Sequence, residues 1–420
     1  MDEGTALNEG QKTALLHLST EDNVFITGGA GTGKSFLLKK FLRNVDSSKL
    51  PVLASTGAAA VLIGGRTFHS FFGLGILEGG PDAAVERALK DRRVVRRLKR
   101  AKGFVLDEIS MIPGVVLETA ERIASGARDD PRPWGGLKVV AVGDFAQLPP
   151  VSRESRKRDW AFLNPVWERS AFRSVYLKEM MRSKGDEDFN SILGDVREGV
   201  VSERVRNLLD WRSFVPGDDD FEGSVLHARK ADVDRVNLQK LALLEGEARA
   251  FETEYTGEGR LRDAIMAHAP VPETLELKKG AFVMIRQNDP QGRWVNGSLG
   301  HIRSMDAEQL EIRLLGGNTA LLEKTRFSML DAEGNETASA KNFPVNLAYA
   351  VTIHKSQGAT LDRIIVSLSR LWEPGQAYVA ISRVRSSEGL MITGWDAGSI
   401  FADPQVREFH RRIEKEAPLL

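Results

Sequence analysis

The sequence predicts an α/β protein on parallel sheets, arranged as two α/β units with a small β insertion in the second. Three observations predict it. The run Gly28-Gly29-Ala30-Gly31-Thr32-Gly33-Lys34-Ser35 sits between a short apolar, β-branched run (Asn23 to Thr27) and a run with helical spacing (Phe36 to Leu42), giving strand, loop and helix. Two further buried-type strands end in polar chemistry: Gly103 to Leu106 runs into Asp107-Glu108, and Leu137 to Val142 into Gly143-Asp144-Phe145-Ala146-Gln147. From Leu277 to Phe343 the texture changes to short alternating segments separated by turn signals such as Asn296-Gly297 and Gly316-Gly317-Asn318, the signature of a β insert. Strands alternating with helices imply a parallel sheet whose ligand sits at the carboxyl ends of the strands.

The glycine run has two glycines with four residues between them, followed by Lys and Ser, a pattern that cradles phosphate. Its glycines let the backbone turn tightly and aim N–H groups at phosphate oxygens, Lys34 reaches the β and γ phosphates, and Ser35 can ligate Mg²⁺. A dinucleotide site wants a different glycine spacing. Asp107 and Glu108 at a strand tip then suit hydrolysis: the Asp reaches the Mg²⁺ water shell, and the Glu orients and deprotonates the attacking water. Gln147, beside the next tip, can sense the γ phosphate.

Composition narrows the classes. The 420 residues suffice for two or three domains. With no Cys, disulfides, thiolate metal sites and cysteine nucleophiles are excluded, and the seven His residues show no ligand-spaced pair. No apolar run approaches the ~20 residues of a membrane span, and the start Met1-Asp2-Glu3-Gly4 reads as neither signal nor transit peptide, so the expected location is cytoplasmic. Lys plus Arg (58) balance Asp plus Glu (58), which argues against a protein that coats nucleic acid through a global basic field but leaves room for a narrow basic channel. The clearest basic cluster is Arg92-Arg93, Arg96-Arg97 and Lys99-Arg100, on a helix before the strand at residue 104; a solvated helix face is the bland explanation.

In chain order, Asn8 caps a first helix carrying Gln11, Ala14, Leu15 and Leu18. The phosphate-loop unit follows, then a strand from Leu50 to Ala54. Thr56-Gly57-Ala58-Ala59 and Gly65-Arg66-Thr67-Phe68-His69-Ser70-Phe71-Phe72 come next; such small and hydroxyl residues can approach a phosphodiester backbone. After the strands ending in the acids and in Gln147, a Trp-containing connection leads to a strand at Ser174 to Leu177, Glu179-Met180-Met181-Arg182, and an amphipathic helix from Asp186 to Arg197. Pro216 to Asp220 reads as a turn. Val225 to Ala228 and a helix from Lys230 to Leu244 open the second unit. After the insert come a strand from Asn346 to Thr352, Ile353-His354-Lys355-Ser356-Gln357-Gly358, a strand from Arg363 to Leu368, a helix from Gly375 to Arg385, and a capping helix from Asp403 to Glu416.

Taken together, these segments resemble the PIF family of superfamily 1 DNA helicases, the 5′-to-3′ group that includes RecD-like enzymes. The resemblance covers nearly the whole chain and rests on six segments in order: Gly28 to Ser35; Thr56 to Ala59 with Gly65 to Phe72; Asp107-Glu108-Ile109-Ser110-Met111; Gly143-Asp144-Phe145 with Gln147-Leu148-Pro149-Pro150-Val151; Thr352 to Gly358; and Gln376 to Arg385. It implies two RecA-like P-loop domains: residues 1–175, with a wedge-type insertion at about 73–102, and residues 176–276 with 344–420, carrying a small β-barrel at 277–343.

The resemblance also implies roles. Gln11 would read adenine, Gly28 to Ser35 with Gly358 would hold ATP, and Ser35 with Asp107 would hold Mg²⁺. Asp107 and Glu108 would serve metal and water, Gln147 would sense the γ phosphate, and Arg182 and Arg383 would be arginine fingers from the second domain. DNA contacts would come from Thr56, Gly57, His69, Ser70, Thr352, His354 and Lys355, and Phe71, Phe72, Trp160 or Trp294 could stack bases. Expected partners are single-stranded DNA, single/double-strand junctions and a single-strand-binding protein; the expected state without DNA is a nucleoid-associated monomer. Family roles in repair, replication, recombination, telomere maintenance and G-quadruplex or RNA–DNA hybrid unwinding come with it. The chain departs from the family pattern in having Ser183 after Arg182, where Gln is usual, and in lacking the long flanking extensions of many relatives. Two alternatives stay open on the residues alone: a nucleotide-switched DNA clamp that hydrolyses ATP without processive unwinding, and a small-molecule P-loop kinase, which leaves the second half of the chain unused.

Overall fold

The computed structural model describes residues 7–62, 65–75, 77, 79–150, 158–183, 185–213, 221–227, 229–289, 291–330 and 335–416, and leaves aside the side chains of Ala58, Leu62, Arg260, His354 and Lys355. Val151 and the turn expected at Pro216 to Asp220 lie outside these residues. Over them the chain divides into two compact units, Ala6–Arg182 with Met329–Thr337 and Asp403–Leu420, and Ser183–Ser328 with Ala338–Ala402.

The first unit contains α1 (Glu9–Leu18), β1 (Val24–Gly28), α2 (Lys34–Leu42), β2 (Val52–Ala54), α3 (Gly57–Leu62), β3 (Arg66–Thr67), α4 (Phe68–Phe72), α5 (Gly80–Lys90), α6 (Arg92–Arg100), β4 (Gly103–Asp107), α7 (Gly114–Arg128), β5 (Lys138–Val142), α8 (Pro165–Arg169) and β6 (Arg173–Leu177). Its six strands form one sheet in the order β3-β2-β4-β5-β1-β6, with every ladder parallel. All five β1 residues are buried, as a strand covered by helices on both faces requires. Asn8 caps α1 as expected, its side chain accepting from Gln11 N while the Gln11 side chain accepts from Asn8 N.

The second unit contains α9 (Glu187–Arg197), α10 (Glu203–Trp211), β7 (Ser224–His227), α11 (Lys230–Ala242), β8 (Arg249–Glu252), β9 (Glu254–Thr256), α12 (Gly259–His268), β10 (Thr274–Leu277), β11 (Phe282–Ile285), β12 (Leu299–Met305), β13 (Gln309–Leu314), β14 (Thr319–Glu323), β15 (Thr325–Leu330), whose last two residues group with the first unit, β16 (Glu336–Asn342), whose first two do the same, β17 (Val345–Leu347), β18 (Ala350–Thr352), α13 (Ile353–Ser356), β19 (Ile364–Leu368), α14 (Gln376–Ile381) and β20 (Leu390–Trp395). A four-stranded parallel sheet runs β18-β7-β19-β20. The insert is an antiparallel sheet, β14-β13-β12-β11-β17, with smaller β15-β16-β9 and β10-β8 sheets. Its core gathers Phe251, Leu275, Val283, Trp294, Ile312 and Phe343.

The structure differs from the sequence expectation at the boundaries. The strand at 173–177 completes the first sheet by pairing with β1, so the first unit ends near Arg182 rather than residue 175. The insert's strands fall into the five-stranded sheet and two smaller ones, and no ladder among the described residues joins β14 to β17. The strand expected from Asn346 to Thr352 is two: β17 pairs with β11 of the insert, β18 with β7 of the parallel sheet. Four candidate base-stackers, Phe71, Phe72, Trp160 and Trp294, are at most 6% exposed and serve as packing. Among the described residues no helix is long and apolar enough to cross a membrane.

The terminal helix α15 (Pro404–Glu416) belongs to the first unit, not the second. Phe409 stacks on Phe162 at 4.2 Å and meets Phe145 and Trp167 edge-on at 5.5 and 5.6 Å, while Trp160 Nε1 donates to Asp403 Oδ2. Aromatic burial of this kind is what holds a helix so distant in sequence. Phe409→Ala should therefore cost ~3–5 kcal/mol, read as a drop of about 10 °C in the thermal midpoint of the unit.

Candidate functional site

Strand β1 stops at Gly28 because no side chain fits there: a Cβ would lie 2.4 Å from the Leu177 carbonyl of β6. The loop then turns through Gly31 (φ +90°) and Gly33 (φ +86°), both in the left-handed region that glycine adopts without penalty. Lys34 opens α2, and its Nζ donates to the carbonyls of Gly28 (2.8 Å) and Gly29 (2.9 Å). Thr32 Oγ1 donates to Gly29 O at 2.9 Å, and Ala30 sits buried between the glycines. The first turn of α2 has no side-chain cap, so its N–H groups face the loop, and Ser35 lies exposed in that turn. An uncapped helix start behind a glycine loop is a phosphate site. These residues fit ATP and Mg²⁺: the loop and Lys34 for phosphate, and Ser35 with Asp107 for a metal that keeps most of its ligands as water and phosphate oxygen.

Two residues beyond the loop hold it from behind. Met181 N and Arg182 N both donate to Gly31 O, at 2.8 and 3.1 Å. Arg182 is thus anchored to the phosphate loop inside the first unit, which corrects the expectation that it comes from the second. Gln11 is fully buried, with Nε2 donating to Thr32 O at 3.3 Å, so its amide lies under the loop.

The acids stand two strands away. β4 carries Asp107 to the sheet edge, and Glu108 follows in a left-handed conformation (φ 54°, ψ 48°) that is strained for a residue with a side chain. Glu108 N donates to Asp107 Oδ1 at 3.0 Å. Burial pushes the Asp107 carboxyl above its ordinary range, and the Glu108 N–H and the Lys34 ammonium pull it back. Gln147 is 5% exposed in the loop after β5, its N–H donating to Asp144 O.

Strand order arranges these groups in a line. Reading β3-β2-β4-β5-β1-β6 along the carboxyl edge gives His69 and Ser70 in α4 after β3, Thr56 and Gly57 after β2, Asp107 and Glu108 after β4, Gln147 after β5, the phosphate loop after β1 and Met181-Arg182 after β6. The residues expected to touch a nucleic-acid strand lie at one end and those for nucleotide at the other, with the acids between. Helix α4 is set by Phe68 and Phe72, packed on Phe104 of β4, and by Arg97 of α6, whose guanidinium donates to Phe71 O and Ser70 O and lies over the Phe71 ring. Arg97 belongs to the basic cluster read as a solvated face; only the packing reveals its bonds to α4. Burial pushes the His69 imidazole below its ordinary range, so it is neutral at neutral pH.

In the second unit Thr352 ends β18 and is 7% exposed, and Gly358 turns at φ +75°. The side chains of His354 and Lys355 lie outside the described residues. Arg383, expected as an arginine finger of the second domain, is 1% exposed. It donates to Val379 O (2.7 Å), Ser356 O (3.2 Å), Ala359 O (3.4 Å) and Ser382 Oγ (2.8 Å), tying the segment after β18 to α14. The sequence could not show this, because an Arg that donates to carbonyls has no residue-type signature.

A family profile described as PIF1-like helicase matches residues 6–207. The chain is 50% identical to the ATP-dependent DNA helicase Pif1 of Bdellovibrio bacteriovorus over 97% of this chain and 92% of the relative. It is 35% identical to human ATP-dependent DNA helicase PIF1, covering 97% of this chain and 64% of the human protein; the chain thus spans about two thirds of its vertebrate relatives. The crystal structure of a Bacteroides Pif1 in complex with ADP-AlF4 matches with a TM-score of 0.85, at 29% identity and 98% coverage of each chain.

Lys34→Ala should abolish nucleoside triphosphate hydrolysis, and Glu108→Gln should lower turnover by about 10²- to 10⁴-fold while leaving nucleotide affinity near wild type, as measured by steady-state hydrolysis and fluorescent-nucleotide titration. Gly31→Ala places a Cβ 2.8 Å from that of Arg182 and should weaken nucleotide binding in the same titration.

Proposed function

Because the chain belongs to the PIF1-like helicase family, we propose that it is an ATP-dependent DNA helicase that translocates 5′-to-3′ on single-stranded DNA and unwinds duplex. The observation that carries this reading is the line of groups along the first sheet, from Thr56, His69 and Ser70, through Asp107 and Glu108, to Gly28 to Ser35. A rigid parallel sheet joins these two ends, so a change at the phosphate loop shifts the tips that grip the strand.

Within this reading Lys34 and the loop N–H groups neutralise phosphate charge, and Ser35 and Asp107 hold Mg²⁺, which supplies Lewis-acid charge stabilisation when bound. Glu108, held in its strained conformation, orients and deprotonates the attacking water. Gln147 senses the γ phosphate. Arg182 sits at the back of the loop and is one of the two proposed arginine fingers. Arg383 can serve as one only by exchanging its carbonyl partners, which makes it a latch on the segment that carries Thr352, His354 and Lys355. Each turnover then alternately tightens and loosens the hold of the two units on the strand. Gln11 reading adenine, Gly358 on the nucleotide, a monomer before DNA, action at single/double-strand junctions beside a single-strand-binding protein, and a nucleoid location belong to the same proposal.

Duplexes bearing a 5′ or a 3′ single-stranded tail test it. Strand separation of the 5′-tailed substrate alone, dependent on ATP, is expected; separation of the 3′-tailed substrate alone would refute the polarity. DNA-stimulated hydrolysis without separation of either would make the protein a switched clamp.

A further inference from the structure

The second parallel sheet has a crevice that none of the expected site residues lines. Its strand order, β18-β7-β19-β20, reverses at β7: the connection leaving β7 goes to one side, to β18, and the one leaving β19 goes to the other, to β20. In open parallel sheets such a switch point leaves a gap between the connections at the carboxyl ends, and ligands bind there. Here the gap is a cavity of about 260 Å³, bounded by Leu226 and His227 at the end of β7, by Arg229 just after it, and by Ser367 and Ser369 to Trp372 at the end of β19.

The lining is built to present cations and an aromatic face. Trp372 is 50% exposed, and the Arg229 guanidinium lies 5.9 Å from its ring centroid. Arg229 and Arg370 are exposed, and no ion pair engages either guanidinium among the described residues. The acid in the lining, Asp232, already accepts from Arg235 at 3.3 Å. The loop that carries Arg370 and Trp372 is held by its own N–H groups: Arg370 N donates to Asp396 Oδ2 (2.9 Å), Leu371 N to Ser399 Oγ (3.0 Å) and Trp372 N to the buried Gln376 (3.3 Å). Arg370 is kept left-handed (φ 56°), a strained state that persists only where the surroundings impose it. An exposed tryptophan on a loop fixed this firmly is not there for packing.

Register connects the cavity to the strand-contact residues. Thr352 of β18 lies directly opposite His227 of β7, so the crevice between β7 and β19 is one and a half strand spacings, about 7 Å, from Thr352 along the same edge. We propose that this crevice is a single-nucleotide subsite for single-stranded DNA, in which a base stacks on Trp372 and its phosphate is held by Arg229 and Arg370, with Ser367 and Ser369 as hydroxyl donors. The proposal rests on the helicase reading above and names a strand contact within it. Stacking on an aromatic side chain tolerates any base, as a translocating protein needs.

The test is binding of a fluorescein-labelled oligo-dT to the full chain by anisotropy, with fluorescent ADP titration and thermal melting as controls. Trp372→Ala should weaken oligo-dT binding by about 5- to 100-fold, while Trp372→Phe stays within about threefold of wild type, because a phenyl ring still stacks. Arg229→Ala and Arg370→Ala should each lower the slope of log K against log salt by about 0.7. ADP affinity and melting should stay unchanged in all four, which separates a strand phosphate from a free nucleotide as the ligand. Unchanged oligo-dT affinity in Trp372→Ala, or an unchanged salt slope in the Arg229→Ala/Arg370→Ala double variant, overturns the subsite while leaving the helicase reading intact; failure of the wild type to bind oligo-dT at all overturns that reading instead.

Discussion

A parallel sheet delivers the carboxyl end of every strand to one edge, and the chemistry of this chain depends on that constraint. Neither sheet could be closed by hairpins; each strand must be reached by a crossover, and each crossover leaves a loop on the same side. The phosphate loop, the acids, Gln147 and the first set of strand-contact residues therefore share one edge of the sheet although they lie up to about 120 residues apart in the chain. The second sheet repeats the arrangement with Thr352, His227 and the loop after β19.

Within that frame, the reactive positions are where the backbone is least relaxed. Gly28 has no room for a side chain against Leu177, Gly31 and Gly33 turn left-handed, and Glu108 does so at the cost of about 1–3 kcal/mol for a residue with a Cβ. These conformations survive because buried strands on either side leave no alternative: β1, β4 and β5 are almost wholly inaccessible to water. Met181 and Arg182 add a further restraint by donating two N–H groups to one carbonyl of the loop. The loop is thus shaped by its own glycines, by the strand beneath it and by a segment 150 residues downstream.

Helix α15 shows the same dependence from the other end of the chain. Phe409 enters an aromatic cluster with Phe25, Phe145, Phe162 and Trp167, directly under the strand that leads to the phosphate loop and under the segment that leads to Gln147. On the same helix His410 approaches Asp144 at 3.8 Å. Helix and sensor segment are consequently one packed body, and α15 acts as part of the nucleotide-bearing unit.

Local sequence determined a good deal of this. Glycine spacing before a helix, a strand ending in two acids, an Asn cap with Gln three residues on, and the change of period at the insert are all read over a few residues, because steric limits, capping and side-chain alternation act over a few residues. What only the tertiary structure decided is which partner each element takes. The strand at 173–177 pairs with β1, α15 packs on the first unit, the stretch before Thr352 splits between two sheets, and Arg383 turns inward to carbonyls that no residue type announces. The crevice at Trp372 belongs to this second class: it exists because β18 and β19 leave β7 on opposite sides. A lone exposed tryptophan is unremarkable in a sequence; its position at the point where the strand order reverses is a property of the assembled sheet.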